Sequence, residues 1–227
     1  MSHIHLPDGV IPPVWWVTGW VICIVLVWLF ARKQKGDEVK RKIPFVGVIG
    51  ALMLIFMSIP LGFLPVHLSL AVLCGILAGP ELGFIAVFVV NTILALMGHG
   101  GFTTIGLNVL LMGGEAVLGY YLFRAMSGKT GYAMSAIIAN IIALLLSTAL
   151  MVLIVGSAAG LTEVLPIHSH GGEHEAATHL QFLSLTGWSA LAIIVLIGTF
   201  IESIVTGLIV QFFSKVRPDL LTHTFHD

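Results

Sequence analysis

Charged side chains are scarce in this chain, and their scarcity excludes a water-soluble globular protein. Only 9% of its 227 residues are Asp, Glu, Lys or Arg, whereas 58% are hydrophobic. A soluble domain carries about a quarter charged residues, so water cannot be the solvent for most of this surface. The composition therefore predicts an all-α protein embedded in a lipid bilayer.

Cysteines and nucleotide-binding motifs are also rare or missing. The two cysteines, Cys23 and Cys74, lie in apolar runs, which favours packing as small hydrophobic side chains over a disulfide or a thiolate metal site. The sequence contains no glycine-rich phosphate-binding loop, so we expect this chain to hydrolyse no nucleotide itself. The amino-terminal residues lack a basic stretch followed by an apolar one, so we expect no cleavable signal peptide.

The cations and the histidines occupy different loops between the apolar segments. Every Lys and Arg falls in one set of loops: Arg32, Lys33, Lys35, Lys40, Arg41, Lys42, Arg124, Lys129, Lys215 and Arg217. Eight of the ten histidines fall in the other set: His3, His5, His67, His99, His168, His170, His174 and His179. Because cytoplasmic loops collect Lys and Arg, the histidines are predicted to face outside. An outer face rich in imidazole and without cationic side chains suits capture of a transition-metal cation.

Seven apolar segments predict about seven transmembrane helices, with the amino terminus outside and the carboxyl terminus in the cytoplasm. They run over about residues 13–31, 44–62, 67–79, 81–97, 104–123, 132–156 and 183–213. We interpret residues 1–215 as one integral membrane domain, with residues 1–12 as a metal-capture loop and 216–227 as a short cytoplasmic tail. The third segment is short for a hydrocarbon core of ~30 Å at ~1.5 Å per residue, so we expect other parts of the protein to cover its ends.

The first residues, Met1-Ser2-His3-Ile4-His5, have the chemistry of a chelator. A terminal amine, a deprotonated amide nitrogen and an imidazole form fused rings in one plane, which favours Ni(II) and Cu(II). If Met1 is removed, the Ser2 amine and the amide and ring nitrogens of His3 supply three ligands and leave a fourth position open. If Met1 is retained, Met1-Ser2-His3 supplies four nitrogens alone. Because protons must leave these groups, we expect binding to weaken as the outside turns acidic.

Three motifs carry a resemblance to a known family. They are His5-Leu6-Pro7-Asp8-Gly9-Val10, His67-Leu68 followed by Gly75-Ile76-Leu77-Ala78-Gly79-Pro80, and Gly98-His99-Gly100-Gly101-Phe102-Thr103-Thr104-Ile105-Gly106-Leu107-Asn108-Val109 with Met112-Gly113. Together with the pattern of spans, they make the chain similar to the CbiM/NikM proteins. These are the substrate-capture components of energy-coupling-factor transporters for cobalt and nickel. The third motif is the most specific of the three.

The resemblance implies a ligand set for the metal. In the family, the terminal amine, the backbone and ring nitrogens of an early His and a His at the start of a later helix bind the ion in a plane. The later His matches His67. The early His matches His5 by motif, and His3 by its distance from the terminus if Met1 is removed, when Ser2 supplies the amine. His99 stands where the family has Asp and would add a ligand or a polar contact, and Asn108 is a candidate for holding the terminal loop or a ligand.

The resemblance also implies partners for an ATP-driven importer of nickel or cobalt ions, a function that the family links to cobalamin biosynthesis. They are a coupling transmembrane subunit, two cytoplasmic ATPase subunits and a small accessory membrane subunit. The transported ion is the substrate, and we expect no cofactor and no catalytic residue. The stripe Ala71, Gly75 and Gly79 predicts a close helix contact, either within the bundle or with the coupling subunit.

Two other functions remain open from the sequence. One is a self-sufficient carrier or channel for divalent cations, although the intramembrane acids Glu115 and Glu202 are too sparse to make a polar path obvious. The other is a sensor or storage protein that binds metal without moving it. The histidine-rich loop predicted over about residues 157–181 is interpreted as a weak collector of metal.

Overall fold

The chain folds as a helical bundle in the computed structural model, which describes residues 6, 8–9, 11–34, 36–59, 67–159 and 174–222. All regular structure in these ranges is helical, which confirms the all-α prediction. The helices are α1 (Pro13–Lys33), α2 (Asp37–Ser58), α3 (Ala71–Ala78), α4 (Pro80–Leu96), α5 (Ile105–Thr130), α6 (Tyr132–Ala159), α7 (His174–Val216) and α8 (Asp219–Thr222).

Four helices in the described ranges are long and apolar enough to cross a membrane. They are α1, α5, α6 and the part of α7 from Ala192 to Val216, while α4 and the Lys42–Ser58 part of α2 are shorter apolar helices. Large apolar side chains such as Val14, Leu153 and Leu208 are exposed on the outside of the bundle. A bilayer accommodates such a surface, which water would not.

The third helix is shorter than the sequence predicted. The prediction of a helix beginning at His67 is wrong, because residues 67–70 are not helical and α3 spans only Ala71–Ala78. Leu70 has φ 54° and ψ 19°, a left-handed conformation that a right-handed helix cannot contain. All eight residues of α3 are buried, as expected for a helix of only ~12 Å that cannot face lipid at its ends.

Two predicted loops are also wrong in extent. The link between the predicted segments 13–31 and 44–62 becomes helical at Asp37, so α2 contains Pro44 in its interior instead of beginning there. Residues 157–181 were predicted as one loop, but α6 continues to Ala159 and α7 begins at His174. The backbone of His174 and His179 is therefore helical, whereas His168 and His170 lie outside the described residues.

Helix α5 is the centre of the bundle and contacts α1, α3, α4 and α6. Glycines permit its close approach to two of them. A Cβ atom at Gly106 would lie 2.5 Å from the backbone nitrogen of Trp20 in α1, and one at Gly75 in α3 would collide with the backbone of Ala116 in α5. The predicted small-residue stripe thus makes its close contact within the bundle, at Gly75.

The bundle has two chemically different ends. The histidine end contains Asp8, His67 and His99, and the basic end contains the last turns of α1, α5 and α7 with Lys33, Lys129 and Lys215. At the basic end, the Lys33 amine lies 3.7 Å from the Glu81 carboxylate and so connects the end of α1 to the start of α4. For these described residues, the separation of histidines from Lys and Arg along the sequence is therefore also a separation in space.

Candidate metal site

The backbone of Leu6 anchors the amino-terminal segment at the histidine end. Its N–H donates to Asn108 Oδ1 at 3.0 Å, and its carbonyl oxygen accepts from Asn108 Nδ2 at 3.3 Å. The same carbonyl accepts from the Thr104 hydroxyl and from the Gly101 N–H at 3.2 Å. Leu6 is only 2% exposed, and a buried peptide group needs such partners. One amide side chain at the start of α5 satisfies both the donor and the acceptor.

Asp8 fixes the segment from its exposed side. Its Oδ2 accepts from the Phe102 N–H at 2.9 Å, and its Oδ1 accepts from the N–H of Thr103 at 2.8 Å and from the Thr103 hydroxyl. These bonds, the Thr103 hydroxyl first, hold the pKa of Asp8 below its ordinary value of 3.8. A carboxylate with a lowered pKa stabilises the docked state above its unfolded pKa and loses this effect as pH falls through the folded value. Docking through Asp8 is therefore insensitive to pH in the neutral range.

The loop that receives Asp8 has no room for a larger residue at Gly101. A Cβ atom there would lie 2.6 Å from the backbone nitrogen of Asp8 and 2.5 Å from the Thr104 hydroxyl oxygen. The loop is held from α1 by the indole N–H of Trp20, which donates to the Thr103 carbonyl at 2.8 Å. Gly101 is thus required by close backbone approach, since its φ is not in the left-handed region.

Apolar contacts bury the inner side of the same segment. Leu6 and Ile11 form a buried cluster with Leu107 and Leu111 of α5. Partly buried side chains near the end of α6, including Ile154, pack against this cluster. The segment is therefore a packed part of the bundle at Leu6 and Ile11, and polar contacts at Asp8 complete its docking.

His67 and His99 meet edge to face at this end. Their ring centroids are 5.3 Å apart with an interplanar angle of 82°. His67 precedes α3, and His99 follows α4 in a turn where its N–H donates to the Leu94 carbonyl at 2.8 Å. Two imidazole nitrogens at about 2.0–2.1 Å from one ion place their ring centroids roughly 4.5–6.4 Å apart. The observed separation therefore fits two imidazoles near a shared cation.

The environment of His67 favours its neutral form. Partial burial lowers the pKa of His67 below 6.5 and the charge of His99 adds to the decrease, while a hydrogen bond with the backbone of Ile59 acts in the opposite direction. Only the neutral imidazole has a lone pair for a metal. Proton competition at His67 therefore begins at a lower pH than at an ordinary histidine.

A buried carboxylate of α7, that of Glu202, bonds the residues that follow His67 in the chain. Glu202 Oε1 accepts from the Leu70 N–H at 3.0 Å and the Ser69 hydroxyl at 2.7 Å, and Oε2 accepts from the Ser69 N–H at 3.1 Å. The structure shows a bond to the segment before α3. No sequence signal identifies these partners, because two of the three are backbone amides more than 130 positions away.

The structure describes only part of the predicted ligand set. His67, His99 and Asn108 are described and lie at the histidine end, whereas Ser2, His3 and His5 lie outside the described residues. Among the residues that the structure describes, no three His, Cys, Asp or Glu side chains are grouped closely enough to hold a metal ion. Glu115 is buried in α5.

Comparison with known proteins decides the family. Residues 5–220 match the family described as CbiM, cobalt uptake substrate-specific transmembrane region. The chain belongs to the CbiM family. This confirms the resemblance seen in the motifs, and together with the four long apolar helices it makes the chain a multi-pass membrane protein.

Relatives of this CbiM-family chain cover almost its full length. A protein of Haloquadratum walsbyi, provisionally named a metal transport protein, is 30% identical over 234 residues, which cover 99% of this chain and 96% of the relative. A protein of Methanocaldococcus jannaschii, provisionally named cobalt transport protein CbiM, is 26% identical over 232 residues, which cover 96% of this chain and 90% of the relative. The family is thus one of metal transport proteins rather than of enzymes.

Two solved structures share the fold. Both are described as transition metal transporters, one of them truncated, and both superpose with a TM-score of 0.72. The truncated one is 19% identical and the other 20%, and the matches cover 94% and 98% of this chain and 99% and 98% of those chains. The likeness therefore extends over nearly the whole bundle.

Proposed function

We propose that this chain is the substrate-binding membrane component of an ATP-driven importer of cobalt or nickel ions. The observation that supports this most strongly is the docking of the amino-terminal segment through Leu6 and Asp8. It is fixed to the loop that contains His99, whose ring lies 5.3 Å from that of His67. An amino terminus that places nitrogen ligands beside the His67 imidazole is suited to capture Co(II) or Ni(II).

The anchored backbone limits where the terminal ligands can reach. The Leu6 N–H is held by Asn108, and each residue before it extends the chain by at most ~3.6 Å. His5 is bonded directly to this fixed point, and His3 is within about 11 Å of it along the chain. The proposed ligands are the Ser2 amine, His3 or His5, and His67, with His99 as a further ligand or polar contact. Asn108 holds the backbone that presents them.

The proposed topology has seven crossings, with the amino terminus outside and residues 1–215 forming one membrane domain. The separation of the histidine end from the basic end supports this orientation. Helix α3 is too short to cross alone and is covered by α4 and α5, both of which it contacts. Of the proposed cytoplasmic tail 216–227, α8 packs on α3 and α7 and Leu221 is buried in the core.

Energy for transport has to come from partners, because the chain has no nucleotide-binding motif. We propose a coupling transmembrane subunit, two cytoplasmic ATPase subunits and a small accessory membrane subunit. Release of the ion requires that the plane of nitrogen ligands be broken, for example by a shift of the segment before α3. A planar nitrogen set favours nickel, whereas the family is named for cobalt uptake.

Metal uptake with and without partners tests this function. Proteoliposomes that contain the chain alone should accumulate no Co(II) or Ni(II), whereas vesicles that also contain the coupling and ATPase subunits should accumulate the ion when ATP is supplied. Partner-free uptake down a concentration gradient would contradict the proposal and favour a self-sufficient carrier. Metal binding without uptake in the complete complex would favour a storage or sensor protein.

A further inference from the structure

The carboxylate of Glu202 in α7 binds the short segment that leads from His67 into α3. It is 0% exposed, and both of its oxygens accept hydrogen bonds from the short segment between His67 and α3. The three donors are two backbone N–H groups and one hydroxyl, so Glu202 is the acceptor in every hydrogen bond of this contact. The positive end of the α3 dipole lies at the same place and favours a negative group there.

The segment that Glu202 holds is conformationally unusual. Leu70, with φ 54°, is the one residue other than glycine with a positive φ in the described part of the chain. Such a backbone persists only when its surroundings enforce it, and this kind of outlier is concentrated at functional sites. Glu202 accepts the N–H of Leu70 itself, and Ser69 is separated from His67 by a single residue.

Ordinary helix capping does not need this arrangement. A cap is normally supplied by the residue that precedes the helix, and Leu70 in that position offers no side-chain cap. The Ser69 hydroxyl already accepts the Ala71 N–H at 3.3 Å. The acceptor for the Ser69 and Leu70 amides comes instead from α7, which continues to Lys215 at the basic end. The contact therefore joins residues 67–70 to a helix that reaches the opposite end of the bundle.

We propose that Glu202 is a positioning residue for the metal site. It holds residues 67–70 in the conformation that presents the His67 imidazole to the ion, and it links this imidazole to α7. The inference rests on the proposed function, in which His67 is a ligand. Because Glu202 itself touches no metal, its effect on binding passes entirely through His67.

Metal binding by the purified full-length chain tests this role. Glu202→Gln keeps the shape but places an amide NH₂ against hydrogen-bond donors, so it should weaken Ni(II) and Co(II) affinity by about 10- to 100-fold, as loss of a group that orients a ligand does. Ser203→Ala is the matched control. Ser203 is the next residue on α7. Its hydroxyl accepts a hydrogen bond from the Asn140 amide and donates one to the Thr199 carbonyl, and it makes neither bond to residues 67–70. Ser203→Ala should lower the unfolding temperature of the metal-free protein but leave its Ni(II) and Co(II) affinity unchanged.

A double-mutant comparison separates positioning from general damage. In a His67→Ala background, Glu202→Gln should produce no further loss of affinity, because the group through which it acts is gone. Native affinity in Glu202→Gln, or an equal loss with and without His67, would overturn the proposal. If Glu202→Gln does not fold, Ser69→Ala is the second variant: it removes the hydroxyl that donates to Glu202 and accepts the Ala71 N–H. It should lower affinity in the same direction, and native affinity in Ser69→Ala would also overturn the proposal. Native affinity in His67→Ala would instead refute the proposed ligand set.

Discussion

Each residue that docks the amino-terminal segment acts through a specific backbone group. Asn108 binds the N–H and the carbonyl of Leu6 at once, and the carboxylate of Asp8 accepts from two successive N–H groups of the receiving loop. These hydrogen bonds fix the position of the amino-terminal segment and also stabilise its docked state, because moving the segment would break several of them together. The proposed capture of metal depends on this fixed position.

A Cβ atom at Gly101 would collide with the docked segment, so Gly101→Ala should displace this segment. The added Cβ atom would meet Asp8 and the Thr104 hydroxyl at 2.5–2.6 Å, and one of them has to move. We expect Ni(II) affinity to fall by about 10-fold, as for other losses of support around metal ligands. Titration of the purified chain with Ni(II) measures this.

Gly128→Ala is the control, because a Cβ atom at that position of α5 meets nothing within 4 Å. Its affinity should equal that of the native chain. An undiminished affinity in Gly101→Ala would show that docking of Asp8 is not needed for binding.

The residues of the site were predictable to different degrees. Asn108 attracts attention in the sequence because a polar amide inside an apolar segment needs partners, and the motif places it near the terminus. Glu202 also attracts attention as a buried acid. Its partners could not be predicted, because hydrogen bonds to backbone amides leave no trace in the identity of the residues that donate them.

At the scale of elements, α3 has the most unusual environment. It is eight residues long, fully buried and contacted by α4, α5, α6 and α7 among others. Its start follows the segment with His67, and it also contacts α8.

Packing of α3 against α5 depends on Gly75, so Gly75→Ala should destabilise the bundle. The Cβ atom would collide with the Ala116 carbonyl, and overpacking of this kind typically destabilises by about 1–3 kcal/mol. The midpoint of thermal unfolding in detergent should fall by several degrees. Gly114→Ala on α5, where the Cβ atom meets nothing, should keep or raise the midpoint because alanine favours helix. Equal midpoints in the two variants would contradict the packing described here.

Helix positions were more predictable than helix ends. Long apolar runs identify α1, α5 and α6 because the bilayer demands them. The ends depend on interactions that the pattern does not contain. α2 begins upstream of Pro44 because apolarity is not required of a helix outside the hydrocarbon core, and α3 starts late because Leu70 adopts a left-handed conformation.

At the scale of the molecule, the two chemically different ends predict a fixed orientation in the membrane. Both native cysteines are buried, so introduced cysteines report sidedness without interference. Phe102→Cys, at an exposed position of the histidine end, should react with a membrane-impermeant maleimide in intact cells. Lys129→Cys at the exposed basic end should react only after the cells are made permeable. The reverse pattern would contradict the orientation.

The family and the all-helical fold followed from the sequence because both are encoded in long features, namely apolar runs and an extended motif. The count of seven crossings stays a prediction, because a fully buried helix of eight residues can be recognised as a crossing only from its neighbours. The ligand set likewise combines residues that are distant along the chain, so motifs nominate its members but do not give their geometry.

The account depends above all on the amino-terminal segment supplying ligands beside His67. The most direct measurement is the Ni(II) affinity of protein whose first residue is defined by mass spectrometry, compared among the native chain, His3→Ala, His5→Ala and His67→Ala. We predict a loss of affinity of at least about 10-fold in His67→Ala and in one of the two terminal variants. Affinity equal to the native value in both His3→Ala and His5→Ala would contradict it.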